Sequence, residues 1–133
     1  MAYANSFTVG DLTVNAGMAS AVQQDELLSL LSSTLLSRAT NAAQLNAEMG
    51  EQILIPMFMS MPQPLKKQVV GLLTQKLVVA GTENAVTVND FGGKMVEWNT
   101  LLSRLILWNL EGFFVWLDNA VKSVRPAQED EAV

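Results

Sequence analysis

Residues 91–121 carry apolar side chains at helical spacing on two faces at once, and this limits the fold more than any other part of the chain. Phe91, Met95, Trp98, Leu102, Leu105 and Trp116 fall near one face at three- and four-residue steps. Val96, Leu107, Leu110, Phe114, Leu117 and Val121 fall on another. A helix that is apolar nearly all round is either a central core helix or has a face waiting for a partner. Asn89 or Asp90 stands where a cap for this helix belongs, despite Gly92 and Gly93 in its first turn. A chain of 133 residues supports one core, so a single domain must either surround such a helix or leave part of it uncovered.

The remaining segments supply what could surround it. Residues 7–14 are two short alternating runs about Gly10-Asp11, which suits a tight hairpin turn with Gly at the first central position. A two-stranded ribbon is marginal alone and must lie on something larger. From Ser20 the period changes. Ser20 and Gln23 have capping-box spacing, and Leu27, Leu28, Leu30, Leu31, Leu35 and Leu36 form a wide stripe on a helix expected to end near Arg38. A second helix is expected from about residue 42, carrying Leu45, Met49, Ile53 and Leu54, until Pro56 kinks or ends it. A third begins with Pro64 in its first turn and is expected to cover 65–80, with Gly81 as its stop. Residues 85–88 form a strand candidate, the plausible third partner for the ribbon. The fold class is therefore mainly α: a compact four- to five-helix domain with a small N-terminal β-hairpin. Residues 1–124 form the domain. Residues 125–133, with Glu129, Asp130 and Glu131, read as an acidic, solvated and mobile tail.

Composition removes most chemistry. The chain has no Cys and no His, hence no thiolate or imidazole ligand, no thiol nucleophile and no neutral-pH imidazole base. Glu97 and Glu111 are fourteen residues apart, about 21 Å on a continuous helix, too far to act on one bond. Gly92-Gly93-Lys94 lacks the remaining elements of a phosphate-binding loop. No catalytic, cofactor-binding or metal-binding residue is assigned, and an enzyme is not expected. Charged residues are 16% of the chain and the net charge is −5, with Lys66-Lys67 the one adjacent basic pair, so nucleic acid is not an expected partner. No secretory signal opens the sequence, and the apolar run 105–117 is interrupted and short of the ~20 residues of a membrane span. The expectation is a soluble protein in a reducing compartment.

What remains is binding. Six of the nine aromatic residues lie between 91 and 116. Trp98 and Phe113 read first as core, whereas the surroundings of Trp108 and Trp116 leave core and intermolecular contact equally open. Met57, Met59 and Met61 fall within five residues beside Phe58. They are either an irregular core linker filled by flexible thioethers or an adaptable surface for apolar partners.

The run Phe91-Gly92-Gly93-Lys94-Met95-Val96-Glu97-Trp98, then Leu101-Leu102, then Leu107-Trp108-Asn109-Leu110-Glu111-Gly112-Phe113-Phe114-Val115-Trp116-Leu117 resembles the C-terminal pattern of small tail assembly chaperones of long-tailed bacteriophages. The opening 6–14 and the Gln23-Gln24-Asp25-Glu26-Leu27-Leu28 helix start are similar in style. The resemblance is good over 85–120 and loose elsewhere. It implies a non-enzymatic protein that binds the hydrophobic tape measure protein, keeps it soluble and helps recruit tail tube protein. Such a protein acts in the host cytoplasm during assembly and is not expected in the mature virion; family members are commonly made in two lengths by a ribosomal frameshift. A helical client would then lie in a groove lined by Met57, Met59, Met61, Trp108, Phe113, Phe114 and Trp116. The alternative is a structural virion subunit, a head decoration or connector protein, that forms a homo-oligomer through the apolar last helix.

Overall fold

The computed structural model describes residues 4–44 and 49–131, with side chains described through residue 121. Among them are five α-helices and one small antiparallel sheet, so the molecule is mainly α with an N-terminal hairpin. The hairpin is longer than the alternation 7–14 suggests: β1 is Ala4–Val9 and β2 is Leu12–Gly17, with Phe7 opposite Val14 and Val9 opposite Leu12. Its turn depends on Gly10, whose φ of 59° is strained for any residue with a Cβ.

Helix α1, Ala21–Gln44, begins as its sequence dictates. Ser20 N–H donates to Gln23 Oε1 (3.0 Å) and Gln23 N–H donates back to Ser20 Oγ (3.2 Å), a reciprocal capping box. It runs past Arg38 because the stripe of Leu27, Leu31 and Leu35 continues as buried Ala39 and Ala42. Helix α2, Glu51–Ser60, contains Pro56 and continues for four residues beyond it, so the proline does not end the helix. Pro56 removes one hydrogen bond, to the carbonyl of Gln52, and both residues are exposed, which lowers the cost of the missing bond. Met57 and Met59 are therefore helical and Met61 is the C-cap, rather than members of a linker. Leu45, placed on this second helix by its sequence, lies outside the described residues.

Helix α3 is Gln63–Leu73 and stops seven residues before the expected end at Ala80. Thr74 Oγ1 and Thr74 N–H both donate to the carbonyl of Val70 (2.7 and 3.0 Å) and close its last turn. The chain then enters β3, Leu77–Val79, whose β-branched pair suits a half-buried sheet. β3 pairs antiparallel with β2, Val14 opposite Val79, giving the order β1-β2-β3. The third strand is thus 77–79 and not 85–88. The latter segment contributes one bridge, from Ala85 to Val78, before Thr87 caps a 3₁₀ turn at Val88–Phe91. Thr87 N–H donates to Asp90 Oδ2 (2.9 Å) and Asn89 N–H donates to Thr87 Oγ1 (3.3 Å), so Asp90 serves this turn and not the following helix.

The long last helix does not exist as one element. Helix α4, Met95–Asn109, ends at Leu110, and α5, Glu111–Glu131, leaves at 84° to it. The backbone expected to form the tail is helical to Glu131. The bend resolves the two-faced sequence. α4 becomes the central helix, touching β1, α2, α3, α5 and the 3₁₀ turn, with Leu101, Leu102, Leu105 and Ile106 fully buried. α5 folds back on α1 and buries Phe114 and Leu117. The core thereby joins Val14, Leu27, Leu31, Leu54, Phe58, Val69 and the α4 row in one cluster. No single helix among the described residues is long and apolar enough to cross a membrane; α4 and α5 would together have the length and composition, but they are bent apart.

Candidate binding surfaces

The seven residues expected to line a client groove are distributed between core and surface. Met57, Met61 and Phe114 are buried in the core, so a partner does not reach them in this conformation. Trp108 is half-buried and packs edge-on against Phe7 at 5.7 Å between ring centroids, which ties the end of α4 to the hairpin. Met59 is 46% exposed on the outward side of α2, opposite the side that carries Met57 and Phe58 into the core. Phe113 is half-buried, and Trp116 is 59% exposed. These two stand one turn apart on α5, 5.9 Å between centroids, with Phe113 also against Phe114 at 5.4 Å. The structure therefore brings together Phe113, Phe114 and Trp116, with Phe114 as the anchor in the core and Trp116 as the solvent-facing end. The methionines do not extend this group: two are interior, and the third points outward from a helix packed mainly on α4.

A second surface was not foreseen from the spacing. Between α3, the 3₁₀ turn and the start of α4 lies an open groove of about 360 Å³, mostly apolar, with Val70, Val88, Met95 and Trp98 on its walls. Trp98 is buried against Phe91, 5.2 Å between centroids, and leaves little of its surface exposed. Lys66 and Lys67 stand at the α3 side. Lys66 Nζ donates to Oδ1 of the buried Asn99 (2.6 Å), and Asn99 Nδ2 donates to the carbonyl of Met95 (2.7 Å). Ser103 continues this polar line by donating to the carbonyl of Asn99 (2.9 Å). Desolvation by the surrounding protein pushes the Lys66 pKa down from its ordinary value. The sequence signal was present as the Lys66-Lys67 pair, but nothing local says that a helix in the next segment will set Met95 and Trp98 beside it.

Two further polar groups position these surfaces. Asn109 Nδ2 donates to the carbonyl of Leu105 (2.9 Å), and its Oδ1 accepts from the N–H of Ala19 (2.8 Å). This buried amide ties the link between β2 and α1 to the corner where α5 departs. Arg104 pairs with Glu51 at the start of α2 and donates to the carbonyl of Thr8 in β1 (2.8 Å). Because α4 ends at Leu110, Glu97 and Glu111 sit on different helices and the continuous-helix distance between them does not apply. Among the described residues no group of three or more acidic side chains is clustered as a metal site. Comparisons of the chain with protein-family models, with curated proteins and with solved structures return no match.

Proposed function

We propose that this protein is a non-enzymatic bacteriophage tail assembly chaperone that binds the hydrophobic tape measure protein, keeps it soluble and helps recruit tail tube subunits. The reading rests on the resemblance of 85–120 to that family, and one structural observation supports it: Trp116 lies open to solvent over Phe113 at the start of α5. A large aromatic held on a rigid helix, with few rotors to order, is a favoured anchor for an apolar helical client. The client surface proposed here is narrower than the sequence suggests, since Met57, Met61 and Phe114 serve the core.

Co-expression with the tape measure protein of the same phage tests the reading. Wild-type protein should raise the soluble yield of the client and co-purify with it. Trp116→Asp should abolish both while leaving the thermal unfolding midpoint of the chaperone unchanged. No gain in soluble client would overturn the proposal. Mass spectrometry of purified particles provides an independent arm: stoichiometric amounts in virions would instead establish a structural subunit.

A further inference from the structure

We infer that the groove between α3 and the start of α4 is a docking site for an apolar peptide segment that carries a carboxylate. Its position on α3 and α4 separates it from the Phe113–Trp116 surface, so the inference goes beyond the proposed function and does not depend on it.

Charge complementarity selects the occupant. The protein carries a net charge of −5, yet this groove is edged by the adjacent Lys66 and Lys67. Neither lysine has a carboxylate partner among the described residues. Lys66 gives its ammonium to the neutral amide oxygen of Asn99, and burial already disfavours its charge. An incoming carboxylate would reverse that penalty, whereas a cationic or purely apolar occupant would not. Its apolar part has a matching wall: Val70, Val88, Met95 and Trp98. The volume, about 360 Å³, lies within the ~300–1,000 Å³ typical of ligand sites. Val88 and Met95 on its walls are also open to solvent, so the apolar surface reaches the rim of the groove, which favours a peptide over a compact small molecule.

Gly71 is the second observation. It lies within α3, lines the groove, and has nothing within 4 Å of the position its Cβ would take. Its backbone is not left-handed, so neither packing nor φ demands glycine. Glycine inside a helix is less stable than alanine. Its physical effect here is to keep the α3 wall of the groove free of a side chain.

The test uses the full-length protein and a labelled amphipathic probe peptide with leucines at i, i+3 and i+4 and glutamates beside them, read by fluorescence anisotropy. Wild-type protein should bind it, and the same peptide with lysines for glutamates should bind at least about ten-fold more weakly. Lys67→Glu, an exposed change, should weaken the glutamate peptide about five-fold or more, and added salt should weaken it in the wild type. Gly71→Leu should fill the groove and abolish binding, while Gly71→Ala, the smaller control, retains it; circular dichroism verifies that both are folded. Equal binding of the two peptides, or undiminished binding by folded Gly71→Leu, overturns the inference. So does loss of a self-associated species in Lys67→Glu by sedimentation, since the occupant would then be a second copy of the chain. If the probe fails to bind while the tape measure protein is still solubilised, the groove inference falls and the proposed function stands. If the probe binds as expected and the client is not solubilised, the reverse holds.

Discussion

Asn109 is buried at the end of α4, and both ends of its amide are used, one on Leu105 and one on Ala19 ninety residues away. Asn109→Ala should therefore lower stability by about 1–3 kcal/mol in urea unfolding, because it orphans a partly buried N–H rather than removing a neutral contact. Phe114 and Trp116 are two residues apart with opposite fates. Phe114→Asp places a charge in the core and should unfold the domain, whereas Trp116→Asp should change stability by no more than about 0.5 kcal/mol. Near-ultraviolet circular dichroism and thermal unfolding distinguish the two outcomes. Lys66 gives a pH dependence of definite sign. Burial sets its folded pKa below the ordinary 10.5, so between the two values the unfolded chain holds a proton that the folded chain has released. Its contribution to stability rises with pH through that window, and its penalty is fully present below it. The charged neighbour in the groove is Lys67, with neutral Asn99 as the bonded partner. Lys66→Met should reduce the alkaline rise of the unfolding midpoint relative to wild type; an unchanged slope would count against the assignment.

At the scale of elements, the cap of α1 and the hairpin turn were legible, whereas the cap of α4 and the helix lengths were not. Ser20-x-x-Gln23 and Gly10-Asp11 act through bonds inside a few residues, so their chemistry is complete in the sequence. Gly10→Ala should cost about 1–2 kcal/mol through its positive φ, in a position where the new Cβ would also lie 3.4 Å from Glu97 Cγ. Chemical denaturation of that single variant checks it. The end of α3 and the start of β3 were illegible because Leu72, Leu73, Leu77 and Val78 fit a helical stripe as well as a strand. The strand prevails because the free edge of β2 has ladder hydrogen bonds to offer. Whether Pro56 ends a helix is likewise not local: its penalty depends on whether the carbonyl it abandons can reach water, which only the packing of α2 decides.

At the scale of the molecule, Arg104 holds three elements through ionic or charge-assisted contacts, joining α4, α2 and β1. Arg104→Ala should reduce stability by about 1–2 kcal/mol, with part of the loss disappearing at high salt because the pair with Glu51 is partly exposed. Salt-dependent denaturation of wild type and variant measures it. Most of the surface sites were hidden from sequence reasoning at this same scale. A helical wheel drawn through 91–121 assumes one axis, and the corner at Leu110 rotates every later residue to a new face. That is why the sequence, although it sets Phe114 and Trp116 on different faces, does not show which of the two is buried.

The sequence by itself determined the helical class, the hairpin, the helix starts that rest on local caps, and the absence of Cys and His. Each follows from periodicity or from bonds between near neighbours. It also contained the excess of apolar faces that any fold of this chain must dispose of. Tertiary structure alone decided how: by breaking the last helix so that α4 is enclosed and α5 covers α1, leaving Trp116 and the Lys66–Met95 groove outside. The physical reason is that burial is a property of neighbours brought from elsewhere in the chain, and no residue carries a record of which of its faces they will cover.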